Sequence, residues 1–135
     1  MLKTWRINGS RFLAEVFGGW LTTGASADPL VSLTYGPSIA VDASLGNAFV
    51  CDITNNVAFT IQAPTNPPPT GSSQVITLTF RNVSGAAHGA GTFGAGYKTS
   101  AAFPAIANGF SRTFCFRWNG TNWVEQWRTA ADVAN

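Results

Sequence analysis

The chain has 135 residues, enough for one domain with a substantial core. Only 10% of them are charged, against roughly 25% in an average globular protein, and the net charge is +2. The eight basic residues are scattered, which excludes a basic nucleic-acid groove, and no apolar run approaches the roughly 20 residues that span a bilayer as a helix.

Residues 1–30 differ from the rest. They combine Lys3, Arg6 and Arg11 with Trp5, Phe12, Phe17 and Trp20, and Gly18-Gly19 breaks the segment. "SRFLAEVF" reads as two helical turns, with Ser10 as N-cap and Phe12, Leu13 and Val16 at helical spacing. A helix that short does not stand alone in water. The basic start, the apolar run and "ASA" at 25–27 also have the outline of a signal peptide, but Glu15 interrupts the run. The segment is therefore expected to be an arm that packs on other chains, with Trp5, Arg6, Phe12, Phe17 and Trp20 as partner-binding residues.

Residues 31–135 read as a β-domain. "SIAVDA" (38–43), "NAFVCDI" (47–53), "VAFTIQA" (57–63) and "QVITLTF" (74–80) each alternate apolar and polar positions. Asn55-Asn56 marks a tight turn, and "PTNPPPTGSS" (64–73) excludes helix and central strand. "SGAAHGAGTFGAG" (84–96) is a loop of small residues with a short strand around 92–95. "GFSRTFCFRW" (109–118) sets Phe110, Phe114, Phe116 and Trp118 on one face, and "NWVEQWR" (122–128) follows. Seven or eight short strands with turns between them predict an antiparallel β-sandwich or jelly roll.

Asn119-Gly120 between two β-runs is a strong hairpin signal and points to a type I′ turn. Phe114, Phe116 and Trp118 read as a buried stripe. On the returning strand, strict alternation places Trp123, Glu125 and Trp127 on one face, and a charge between two tryptophans argues against deep core. Trp123 and Trp127 are therefore partner-binding candidates, for a protein pocket or a sugar ring, with burial in the core left open.

No catalytic constellation emerges. His88 is the single histidine and sits in a Gly/Ala-rich loop, where it reads as solvated. No G-x-S-x-G is present, and the six acidic residues show no spacing that singles out a pair. "GAGTFGAG" lacks the Lys-Ser/Thr end of a phosphate loop. Cys51 and Cys115 are too few for a disulfide scaffold, lie on strand faces of different character, and are expected to be unpaired. The expectation is a binding or structural protein, not an enzyme, with no cofactor and no metal.

From about Val41 onward, several phrases occur in order: "VDASLGNAFVCDITNNVAFTIQAPTNP", then "ITLTFRNVSG", then "NGTNWVE" and the ending "AADVAN". As an ordered set they resemble a module of small tailed-bacteriophage virion proteins, of the head-decoration (cement) or fibre type. The resemblance covers about 70% of the chain and leaves residues 1–30 outside. It implies a non-enzymatic virion protein on the outer capsid surface, made in the host cytoplasm. It further implies the major capsid protein as partner and self-association as a homotrimer, without nucleic acid or membrane. A fibre or receptor-binding module contacting host glycans is the alternative.

Overall fold

The computed structural model describes residues 27–135, and these are mostly β-structure. Ten strands follow in chain order: β1 (Leu30–Leu33), β2 (Ser38–Ile39), β3 (Ala48–Ile53), β4 (Phe59–Ile61), β5 (Val75–Asn82), β6 (Gly91–Phe93), β7 (Tyr97–Lys98), β8 (Phe110–Trp118), β9 (Trp123–Arg128) and β10 (Val133–Ala134). A 3-10 turn at Ala43–Leu45 joins β2 to β3. The first strand among the described residues starts at Leu30. The helix expected at 10–17 lies outside the described residues.

The pairing is mixed, not antiparallel. Strands β1 to β6 step alternately between two sheets, and each new strand lies parallel to the one before it in its own sheet. β1, β3 and β5 open the larger sheet, and β2, β4 and β6 form the smaller one. The larger sheet continues with β8, β9 and β7, and β10 adds to β8. Here β8 runs antiparallel to β5 and to β9, whereas β7 is parallel to β9. The first half is therefore wound as successive coils and the second half closes it with a hairpin. This winding differs from the hairpin-connected pairing of a jelly roll.

The alternation seen in the sequence decides which side faces inward. Phe49, Cys51 and Ile53 of β3 meet Ile76, Leu78 and Phe80 of β5 and Phe114 and Phe116 of β8 in one core. The smaller sheet contributes Ile39, Phe59 and Ile61 to the same core. The opposite faces carry Thr60 and Thr92, whose hydroxyls bond at 3.0 Å, and Thr79 and Thr113, bonded at 2.9 Å. Those polar positions interrupt the continuous apolar run that parallel strands often show, and no helix of the described residues covers either sheet.

The corners of the coils are built by short polar side chains. Asp42 accepts from the Ser44 amide and hydroxyl and from Asn66 Nδ2, tying the "DASLGN" turn to the "PTNP" loop. Gln74 Nε2 donates to Ala43 O, Gly46 O and Asn47 Oδ1, holding the same turn from the residue before β5. Asn82 is fully buried: Nδ2 donates to Ala86 O and Ile106 O, and Oδ1 accepts from Ser84 N and Oγ. Each phrase quoted from the sequence between 42 and 85 thus contains a corner of the winding. At the Asn55-Asn56 bend the chain crosses from one sheet to the other, and β3 and β4 do not pair. Gly89 lies against that bend so closely that a Cβ would stand 2.4 Å from Asn56 O and Val57 C.

Asn82→Ala removes the donor to the buried Ile106 carbonyl, one of two donors to the Ala86 carbonyl, and the acceptor of the 82–86 turn. It is expected to cost about 1–3 kcal/mol, read by urea denaturation, because the groups left behind are unsatisfied. A loss within 0.5 kcal/mol, about the ordinary range for surface changes, would show that water replaces the amide without penalty.

Candidate interaction surface

Four residues, Asn119 to Asn122, connect the hairpin strands, and Thr121 belongs to the connection. Trp118 pairs with Trp123, and Asn119 N bonds Asn122 O at 3.1 Å. Asn119 Oδ1 accepts from the amides of Thr121 and Asn122, and the positive φ of 97° falls on Gly120 alone. The side-chain acceptor replaces the double positive φ of a type I′ turn.

Strict alternation fails on β9. Phe116 pairs with Glu125 and Cys115 with Trp127, so Gln126 is left unopposed as a bulge. The extra residue moves everything after it to the other face. Trp123 is 1% exposed and belongs to the core, whereas Trp127 is 50% exposed on the outer face opposite Cys115. The two tryptophans expected to share a binding face are on opposite sides of the sheet. Trp123, buried among Tyr97, Phe116 and Trp118, is corrected from partner-binding candidate to core residue. Trp5, Arg6, Phe12, Phe17 and Trp20 lie outside the described residues.

The bulge also explains Glu125. Its side chain is only 4% exposed, which a free carboxylate would not tolerate. After the bulge, Arg128 returns to the inner face, stands 5.1 Å over the Phe114 ring, and donates NH2 to Glu125 Oε2 at 2.7 Å. Ser100 adds its amide and hydroxyl to the same oxygen. The Arg128 hydrogen bond holds the Glu125 carboxyl below its ordinary range. The charge between the tryptophans is thus a paired inner charge and no sign of an exposed face.

Among the described residues nothing packs over the outer face of the larger sheet. One row crosses five strands: Leu30, Ala48, Thr77, Cys115 and Trp127 are successive partners. A second row joins Val75, Arg117 and Val124. Toward the far end of the strands, Asp52 and Arg81 neutralise one another through a two-pronged pair, Nε–Oδ1 2.6 Å and NH2–Oδ2 2.8 Å. Arg117, and Lys98 which continues its row beside Val124, are charges on this face that no salt bridge pairs among the described residues. Leu30, Val75 and Trp127 are exposed there.

Both cysteines are free and buried. Burial in the core pushes the Cys51 thiol up to about 11, and burial also raises Cys115 on the outer face. Neither is disposed to act as a thiolate at neutral pH. His88 is half-buried between the rings of Phe59 and Phe103, not solvated. Its Nε2 accepts the Ile106 amide at 2.8 Å and its Nδ1 faces Gly89 O at 2.6 Å, so both nitrogens are used in holding the chain. Sequence pattern offered no signal for this, because the acceptor's partner lies 18 residues away. Among the described residues no three His, Cys, Asp or Glu side chains are grouped to hold a metal.

No protein-family model matches the chain, and neither a curated protein nor a solved structure matches it.

Proposed function

We propose that this protein is a virion component of a tailed bacteriophage, a decoration (cement) protein that binds the assembled major-capsid lattice from outside. The observation that carries the reading is the outer face of the larger sheet, which the described residues leave exposed and which bears Trp127. Strands paired in parallel are ordinarily covered on both sides, and a face that combines exposed apolar side chains with the basic Arg117 and Lys98 suits a protein partner. The ordered turn phrases support the module, because each places side chains that shape the coils. A ligand that binds only the assembled lattice stabilises it by mass action. A homotrimer on three-fold lattice sites, and contact through Trp5, Arg6, Phe12, Phe17 and Trp20, belong to the same proposal.

The alternative is a fibre or receptor-binding module that stacks Trp residues on host glycans. It called for outward aromatic pairs. With Trp123 in the core, Trp127 is the one tryptophan of the hairpin that is markedly exposed.

Trp127→Ala tests the reading. Co-sedimentation with undecorated capsids is expected to show affinity reduced about 30-fold, the equivalent of a 2 kcal/mol hot spot, with unfolding unchanged. Unchanged occupancy would remove the outer face from the binding surface. Retention of wild-type protein on a glycan array together with no capsid binding would favour the fibre reading.

A further inference from the structure

The connection between β7 and β8 contains no strand, yet it closes the core. Beyond β6 the smaller sheet ends, and residues 99–107 lie across the inner face of β8 in its place. Phe103 is the plug: its ring centroid stands 5.3 Å from Phe59, 5.2 Å from Phe80, 5.7 Å from Phe93 and 5.2 Å from Phe114. Ile106 is buried beside it, while Ser100, Ala101 and Ala102 are exposed. The strap is thus apolar beneath and open to water above.

Its fastenings share one chemical property. The Ser100 amide donates to Glu125 Oε2 at 2.7 Å, the Ile106 amide to His88 Nε2 at 2.8 Å, and the Ala107 amide to Asp132 Oδ2 at 2.8 Å. All three acceptors are groups that lose acceptor capacity on protonation. Arg128, oriented by Glu125, adds donations to Ala101 O and Ala102 O. By contrast, the end of the strap is held by an amide side chain that does not titrate. Asn82 Nδ2 donates to Ile106 O, and the Gly109 amide donates to Asn82 O.

We infer that residues 99–107 are an acid-released strap, hinged at Asn82, whose opening uncovers the aromatic core surface around Phe59, Phe93 and Phe114. Protonating Glu125 removes the charge that orients Arg128 and weakens the hold on Ser100. Protonating Asp132 weakens the hold on Ala107. A proton on His88 Nε2 and the bond from the Ile106 amide exclude one another. The charged or titratable groups facing these anchors are Arg128 at Glu125, and Arg112 and His88 at Asp132. These neighbours, with the donated amides, hold both carboxyls below their ordinary range. Their contribution is therefore present above the unfolded carboxyl range, about 3.9–4.3, and is lost as pH falls through the lower folded values. This inference does not depend on the capsid reading.

Hydrogen exchange resolved by residue tests it, with protection factors corrected for the intrinsic pH dependence of exchange. Between pH 7 and about 3, below the ordinary carboxyl range, the amides of Ser100, Ile106 and Ala107 are expected to lose protection at least tenfold. The ladder amides of β5 and β8 and the Gly109 amide keep theirs. The double substitution Glu125→Gln, Asp132→Asn is expected to open the strap already at pH 7. Strap amides that stay protected throughout the acid titration would overturn the inference. So would strap and ladder amides lost together, since that is global unfolding. A folded double variant with wild-type protection at Ser100 and Ala107 would also overturn it.

Discussion

Phe116→Ala is expected to cost about 3–5 kcal/mol, among the largest losses available to a single truncation in this protein. Phe116 is fully buried on β8, the strand that joins the wound half to the hairpin half. Its ring contacts Phe93 of the smaller sheet at 5.3 Å between centroids and Tyr97 of β7 at 4.8 Å. It therefore bridges three elements that no backbone ladder connects directly. The site cannot collapse to fill the space, because its neighbours are fixed by their own strand pairings, and the cavity term is added to the lost transfer energy. Equilibrium denaturation in urea measures the effect. A loss below about 1 kcal/mol would mean that the β8 alternation is out by one residue.

How much of this was legible follows from what a period of two encodes. It states which side chains share a face, so the expected strands at 47–53, 74–80, 109–118 and 122–128 match β3, β5, β8 and β9 closely, and Phe114 and Phe116 were readable as core. It does not state the direction of the neighbouring strand. Thr77 and Thr79 alternate with Ile76, Leu78 and Phe80 whether β5 pairs in parallel or not, so the coil winding was invisible and an antiparallel sandwich was expected instead. β1 escaped notice because four residues, LVSL, carry too little pattern, and β7 and β10 have two residues each. On β9 the failure has a single cause. Gln126 looks like any polar strand residue, but as a bulge it sends Trp127 outward and returns Arg128 to the core side. The expected binding face was lost at that residue. The strap's fastenings were unreadable for another reason, since Glu125, His88 and Asp132 act on amides 18 to 25 residues away in the chain.

The bulge leads to the second large effect. Arg128→Ala leaves the Glu125 carboxylate, nearly without solvent, facing the Phe114 side of the core with only Ser100 as donor. Breaking a fully buried pair from one side costs about 3–5 kcal/mol because the remaining charge is uncompensated, and this part-buried pair is expected to lose about 2–3 kcal/mol. The sign of the pH dependence separates this from simple loss of packing. In the wild type, the Glu125 carboxyl is held low chiefly by Arg128, so its contribution is present at neutral pH and is lost as pH falls below the unfolded Glu value of about 4.3. Without Arg128, burial is opposed by the Ser100 bonds alone, so the folded value rises and acid weakens the variant less than it weakens the parent. The stability gap between the two is thus expected to be widest near pH 7 and to narrow toward about pH 4, where the carboxyl takes up its proton. Glu125→Gln in the Arg128→Ala background is expected to recover part of the loss at pH 7, since it removes the stranded charge and keeps the shape. A gap constant with pH, together with no recovery in the double variant, would show that Arg128 serves as packing over Phe114 and not as the counter-ion of Glu125.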